Sequence, residues 1–322
     1  MQAAIRAIEY QLGGRKVSNE DLAVEFPEWS IAKIEQKTGI ADRWIAGAEE
    51  SAGDLACQAA RKLFQSGAAA PADIDFVLLC TQSPDYLLPT TACVIQDRLG
   101  IPQSAGALDF NLGCSGFVYG LGLAKGLIET GQARNVLLLT SETYSKYIAA
   151  DDRSVRTIFS DGAAATLVGG VERQTPTLGP FVYGTDGRGA ENLMVAGGGS
   201  RNPAGERSLF MNGPEIFAFT LEAVPNAVRS LLARTGRSVA DIDLFVFHQA
   251  NAYMLNHLRQ KLAIPSEKFY LYMRHVGNTV SATIPIALKH ACQEDRIHPG
   301  DQVMLVGFGV GYSWAATMAT WA

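Results

Sequence analysis

The stretch Ala72-Asp-Ile-Asp-Phe-Val-Leu-Leu79 returns 168 positions later as Ala240-Asp-Ile-Asp-Leu-Phe-Val-Phe247. Each copy is an acidic turn followed by an unbroken apolar run, the pattern of a strand covered on both faces. Two further pairs keep the spacing. Arg134-Asn-Val-Leu-Leu-Leu-Thr140 is matched 167 positions on by Asp301-Gln-Val-Met-Leu-Val-Gly307, and between them Cys93 to Ile101 has a looser counterpart in Leu255 to Ile264. Three matches in one order, each on an element of the same predicted type, signal an internal duplication. The chain therefore reads as two α/β halves, residues 1–170 and 171–322, each with a mostly parallel sheet.

Around the first copy lie an opening strand from Met1 to Tyr10 and an amphipathic helix from Ser51 to Gln65, with Leu55, Ala56, Ala59, Ala60, Leu63 and Phe64 on one face. Downstream, Ala107-Leu-Asp-Phe-Asn-Leu-Gly-Cys-Ser-Gly-Phe-Val-Tyr-Gly-Leu-Gly-Leu-Ala124 runs from a short strand through a glycine turn into a helix. Cys114 sits at the corner. The positive end of a helix dipole and its free N–H groups favour thiolate over thiol, which predicts a nucleophile at neutral pH. Gly113 and Gly116 permit the turn and let a substrate approach the backbone. Taken alone, the same residue reads equally as a small buried hydrophobe.

In the second half, Leu244-Phe-Val-Phe-His-Gln-Ala-Asn251 puts His248 at the carboxyl end of a buried strand, and His275-Val-Gly-Asn278 puts Asn278 on a loop that opens a helix. Open α/β folds build their sites at such strand ends. In a duplicated fold the two carboxyl edges can face each other, so that Cys114, His248 and Asn278 converge. The alternatives are a hydrogen-bonded core histidine and a capping asparagine. The glycine-rich stretch from Gly169 to Asn212 lacks the Lys-Ser/Thr ending of a phosphate loop and reads as a surface excursion.

With 322 residues, a formal net charge of -5 and 48% hydrophobic residues, the chain is globular and carries no basic stripe for nucleic acid. Its five cysteines are widely spread, with no CxxC pair, so neither a zinc site nor a disulfide framework is suggested, and a reducing cytoplasm fits. Arg6 interrupts what would be the core of a signal peptide, and no apolar run is long enough for a membrane span.

Several motifs together resemble the β-ketoacyl-acyl-carrier-protein synthase III family of the thiolase superfamily. They are Asn111-Leu-Gly-Cys-Ser-Gly-Phe117, His248-Gln-Ala-Asn251, Gly277-Asn-Thr-Val-Ser-Ala-Thr-Ile-Pro285 and Gly307-Phe-Gly-Val-Gly-Tyr-Ser-Trp314, with Lys37-Thr-Gly-Ile40, Pro84-Asp-Tyr-Leu-Leu-Pro89 and Ser160-Asp-Gly162. The resemblance implies a thiolase-like five-layered αβαβα fold, a homodimer, and Cys114, His248 and Asn278 as a catalytic triad. It implies that an acyl-coenzyme A thioester loads Cys114, and that a malonyl thioester on acyl carrier protein then undergoes decarboxylative Claisen condensation. No metal or resident cofactor is required. By position, Arg153, Phe159, Met211, Gly213, Asn251 and Phe308 match family residues that line the pantetheine tunnel or hold coenzyme A.

The chain also departs from the family. Lys37 replaces an arginine near the coenzyme phosphates, keeping the charge but losing the fork, and Lys33 stands where some members stack a tryptophan on adenine. Ala218 and Tyr253 replace basic residues that face the carrier protein, and Arg259 and Lys261 are the nearby candidates to compensate. Leu88 replaces a phenylalanine that closes the acyl pocket across the dimer, which predicts room for chains longer than acetyl. Two other functions compete: an acyltransferase that passes the acyl group to oxygen or nitrogen without decarboxylation, and a catalytically silent partner in a heterodimer.

Overall fold

The computed structural model describes residues 1–28 and 30–321. The chain opens with β1 (Gln2–Leu12) and an antiparallel ribbon of β2 (Arg15–Ser18) and β3 (Asp42–Ile45), whose connection carries α1 (Asn19–Glu25) and α2 (Ile31–Thr38). The side chains of Ser18 and Ser30 cap these helices, and Gly39 ends α2 in the left-handed region. Next come α3 (Ala52–Gln65), β4 (Phe76–Cys80), α4 (Thr91–Arg98), β5 (Gly106–Phe110), α5 (Gly116–Glu129), β6 (Asn135–Glu142), α6 (Arg153–Arg156) and β7 (Gly162–Val171). The second half holds β8 (Leu178–Thr185), a ribbon of β9 (Leu193–Val195) and β10 (Leu209–Met211), and α7 (Gly213–Thr235). It ends with β11 (Leu244–Phe247), α8 (Ala252–Lys261), α9 (Thr283–Gln293), β12 (Gln302–Gly309) and β13 (Ser313–Thr320).

The main sheets have strand orders β1-β7-β6-β4-β5 and β11-β12-β13-β8. Each echoed strand holds the same place in its sheet: β4 pairs in parallel with β6, and β11 in parallel with β12. The counterpart of β5 has shrunk to a parallel bridge between Phe245 and Phe269. Both sheets are mixed rather than mostly parallel, because β6 pairs antiparallel with β7 and β12 with β13. Only three residues separate β12 from β13, and so short a connection closes a hairpin and nothing else.

Between the sheets lie α5 and α9, with Phe117, Leu121, Ile284 and Leu288 fully buried against Leu138, Val246 and Leu305. Helices α3 and α4 cover the outer face of the first sheet, and α7 and α8 that of the second. This is the αβαβα stack, and it explains the unbroken apolar runs: a strand between two helical layers has no wet face.

Two further sequence expectations fail here. The stretch read as a surface excursion supplies β8, whose Leu178 and Val182 are buried beside β13, and the β9–β10 ribbon. Its alternation is masked because an edge strand broken by Gly179 and Pro180 is only half buried. Helix α7 is long and apolar enough, by length and composition, to cross a bilayer. Its Thr220, Val224, Val228 and Leu231 pack into the protein core while Glu215, Glu222, Arg229 and Arg234 interrupt the helix, so it is a core helix of the second half.

Candidate active site

Cys114 stands two residues before α5, with Ser115 as the N-cap. The Gly116 N–H closes the turn on the Gly113 carbonyl at 2.8 Å. The corner is pressed tightly between the halves. A Cβ on Gly116 would lie 2.1 Å from Cys80 Sγ, one on Gly307 2.8 Å from the Cys114 carbonyl oxygen, and one on Gly309 3.0 Å from Cys114 Sγ. Glycine at 307 and 309 is what lets β12 approach the Cys114 corner, and glycine at 116 lets the start of α5 approach Cys80. Ser115 Oγ and Ser313 Oγ, 2.6 Å apart, join the corner to the β12–β13 hairpin.

His248 follows β11, its N–H donating to the Val306 carbonyl at 2.8 Å and its ring set edge-on against Phe308 with centroids 5.4 Å apart. Its Nδ1 lies 2.7 Å from Thr283 Oγ1, which in turn lies 3.0 Å from the Val280 carbonyl oxygen. Asn278 is held by its backbone to the segment before β7: its N–H donates to Ile158 at 3.0 Å and its carbonyl accepts from Ser160 at 2.9 Å. Its side-chain Oδ1 accepts from the Val280 N–H at 2.9 Å and its Nδ2 donates to the Ala250 carbonyl at 3.3 Å. That fixes the amide orientation and leaves one Nδ2 hydrogen free for the cavity. Val280, fully buried, has φ +56°, a conformation β-branched residues seldom adopt, and this strain sits beside the site.

Cys114, His248 and Asn278 line one cavity of about 180 Å³ with largely apolar walls. Of the binding residues expected from sequence, Phe159, Met211, Gly213, Asn251 and Phe308 line it as well. Lys37, Leu88 and Arg153 are not among its lining residues. Lys37 lies in the last turn of α2, Leu88 is 83% exposed on the loop after β4, and Arg153 pairs with Glu28 while lying over the Phe26 ring. Sequence reading passed over Leu193, Ile216 and Met254, which are among the further walls, and Thr283, which touches His248. The walls carry no signal beyond being apolar; Thr283 lies inside a motif already singled out.

The electrostatics overturn one expectation. Burial, with Glu142 nearby, pushes the Cys114 thiol up to about 12, so Cys114 rests as a thiol and not a thiolate. A helix terminus contributes ~0.3–1 kcal/mol, under one pKa unit, and fades within a turn, whereas full burial moves a group by as much as 3–5 units. Burial also pushes His248 down to about 3, so its imidazole is neutral at physiological pH. Glu142, raised to about 8 by burial, accepts from the Gln82 N–H at 3.0 Å, Ser83 Oγ at 3.2 Å and Ser281 Oγ at 3.0 Å. It thus ties the loop after β4 to the turn before α9.

The arrangement is a thiol, a neutral imidazole and an oriented carboxamide at one apolar cavity, suited to covalent acyl chemistry. Two family profiles match the chain: 3-oxoacyl-[acyl-carrier-protein] synthase III over residues 108–187, and the C-terminal part of the same family over residues 232–321. A β-ketoacyl-[acyl-carrier-protein] synthase III of Caldanaerobacter subterraneus is 37% identical over 302 residues, 92% of this chain and 89% of that protein. The chain belongs to the 3-oxoacyl-[acyl-carrier-protein] synthase III family. Solved members of the synthase III family superimpose along its length. A crystal structure of a 3-oxoacyl-(acyl-carrier-protein) synthase III, 51% identical, covers 100% of both chains with a TM-score of 0.98. That of a Burkholderia xenovorans 3-oxoacyl-(acyl-carrier protein) synthase, 35% identical, covers 100% of this chain and 95% of its own with a TM-score of 0.94. The thiolase-type fold and the enzyme class, a synthase III acyltransferase, follow from this membership.

Proposed function

We propose that this synthase III takes an acyl group from coenzyme A onto Cys114 and condenses it with a malonyl thioester held on acyl carrier protein, releasing carbon dioxide. The observation that carries the reading is the meeting of Cys114, His248 and Asn278 at one narrow apolar cavity. In the first step His248 Nε2 takes the thiol proton as sulfur attacks the thioester carbonyl, then returns it to the departing coenzyme A thiolate. Base assistance is required because the resting thiol is protonated. In this reading the oxyanion takes hydrogen bonds from backbone N–H groups at Cys114 and along the Phe308 to Gly311 turn. In the second step the malonyl C–C bond breaks, its electrons pass to an enolate, and His248 Nε2–H and Asn278 Nδ2–H donate to the enolate oxygen. The carbanion then attacks the acyl carbon, the C–S bond breaks, and Cys114 leaves as a thiolate that takes a proton from water to regain the resting thiol.

The protein acts as a homodimer in this reading. Tyr86, Leu87 and Leu88 are 58%, 86% and 83% exposed, and the edge strand β5 presents Leu108. So much exposed apolar surface beside an open strand edge suits a second copy, and Leu88 then reaches the partner's acyl cavity. The five free cysteines fit a reducing cytoplasm.

A second reading rests on the cavity wall at Tyr253, which is 54% exposed and brings no positive charge to the opening. A face without excess positive charge suits an acceptor other than an acidic carrier protein, and the acyl group would then pass to oxygen or nitrogen. The test is a panel of acyl-coenzyme A donors scored by intact-protein mass, followed by malonyl-carrier protein. A mass gain absent from Cys114→Ala, with carbon dioxide released, supports condensation. A mass gain without carbon dioxide supports the second reading, and no mass gain with any donor rejects both.

A further inference from the structure

A second cavity, of about 220 Å³, shares Phe159 as a wall with the Cys114 cavity. It opens where β2, α1 and β3 meet the segment between β6 and β7, and three arginines, Arg15, Arg43 and Arg156, are among its lining residues. Arg43 is only 1% exposed. Its Nη2 donates to Asn19 Oδ1 and its Nη1 to the Val17 carbonyl at 3.4 Å, while its Nε has no partner among the described residues. Among the described residues no carboxylate forms a salt bridge with Arg43 or Arg15.

The acidic groups in the neighbourhood are engaged elsewhere. Asp42 is held by Lys16 at 3.0 Å and His275 at 2.6 Å, Asp21 by the Ser18 N–H at 2.8 Å, and Glu25 by Arg156 at 2.7 Å. Glu20 lies exposed on α1. A buried guanidinium without a counter-ion is a costly arrangement, and a bound anion relieves it. With Glu25 set against Arg156, two positive charges remain. That matches a phosphoryl dianion better than a single carboxylate, and forked donors fit its oxygens. The volume falls below the roughly 300–1,000 Å³ of pockets that take drug-sized ligands, so it suits a phosphoryl group and not a whole nucleotide.

We propose that this pocket binds a phosphoryl dianion between Arg15, Arg43 and Arg156, either free phosphate or the phosphate ester of a small metabolite. The site is separate from the acyl cavity and stands whether or not the condensing activity does. The test is isothermal titration of the full chain, at constant ionic strength, with inorganic phosphate in one arm and glycerol 3-phosphate in the other. One saturable site is expected, and the tighter arm names the source. Arg15→Gln, at the exposed rim, weakens binding about tenfold with an unchanged melting temperature. Glu25→Gln frees Arg156 and tightens binding several-fold, an outcome that damage to the fold cannot mimic. Absence of saturable binding to either probe at about 10 mM, indifference to both substitutions, or displacement of phosphate by coenzyme A overturns the proposal.

Discussion

Thr283 Oγ1 stands 2.7 Å from His248 Nδ1 and 3.0 Å from the Val280 carbonyl oxygen, so one hydroxyl hydrogen selects the imidazole tautomer. When it points to the carbonyl, Nδ1–H donates to the hydroxyl and Nε2 is a base. When it points to Nδ1, the ring hydrogen moves to Nε2, which becomes a donor. The two proposed half-reactions need these two forms in turn. Thr283→Val keeps the shape and removes the hydroxyl, leaving a buried nitrogen unpaired at ~1–3 kcal/mol, or roughly 5- to 150-fold in rate. Pre-steady-state assays of acylation and of malonyl decarboxylation should show both slowed, with Thr283→Ser restoring them; wild-type rates in Thr283→Val remove Thr283 from the account.

Because burial and Glu142 hold the Cys114 thiol near 12, iodoacetamide should alkylate the resting enzyme slowly at pH 7 and ever faster up to pH 10 without levelling off. Glu142→Gln removes a negative charge only above about pH 8, where the Glu142 carboxyl ionises, and should raise the rate there. Peptide mass mapping of Cys114 measures both. A plateau between pH 7 and 8 would instead reveal a resting thiolate.

The stability of the fold should respond to the same buried groups with opposite signs. The Glu142 carboxyl, raised from 4.5 to about 8, contributes stability that is complete below pH 4.5 and lost as pH rises through 8. His248, lowered from 6.5 to about 3, contributes stability that is complete above pH 6.5 and lost as pH falls towards 3. Between pH 4.5 and 6.5 the two slopes, each at most ~1.4 kcal/mol per pH unit, cancel. Urea unfolding should therefore show that Glu142→Gln flattens the alkaline side of the profile and His248→Asn the acid side.

Leu87 and Leu88 are 86% and 83% exposed in the single chain. Under the proposed homodimer, Leu87→Asp should yield a monomer in light scattering at micromolar concentration where the parent chain is a dimer, since an interfacial charge without a partner is strongly unfavourable; a monomeric parent chain removes the dimer from the account. Leu88→Phe should leave the dimer intact and shorten the longest acyl group loaded on Cys114. An unchanged donor profile would place Leu88 outside the acyl pocket.

Much of this protein is legible in the sequence because its physics there is local. A strand with helices on both faces must be apolar throughout, so Phe76–Cys80 and Leu244–Phe247 announce themselves and their repeat announces the doubled fold. The glycines at 307 and 309 mark where β12 comes up against the backbone and sulfur of the Cys114 corner, because a side chain there would collide. What only the tertiary structure decides is what depends on depth. A helix start argues for a thiolate at Cys114, and burial against Glu142 reverses that. The partnership of Thr283 with His248, the recruitment of Leu193 and Met254 as cavity walls, and the gathering of Arg15, Arg43 and Arg156 join segments far apart in the chain. Periodicity records which face of an element is buried; it does not record what that face is buried against or how much water is left there.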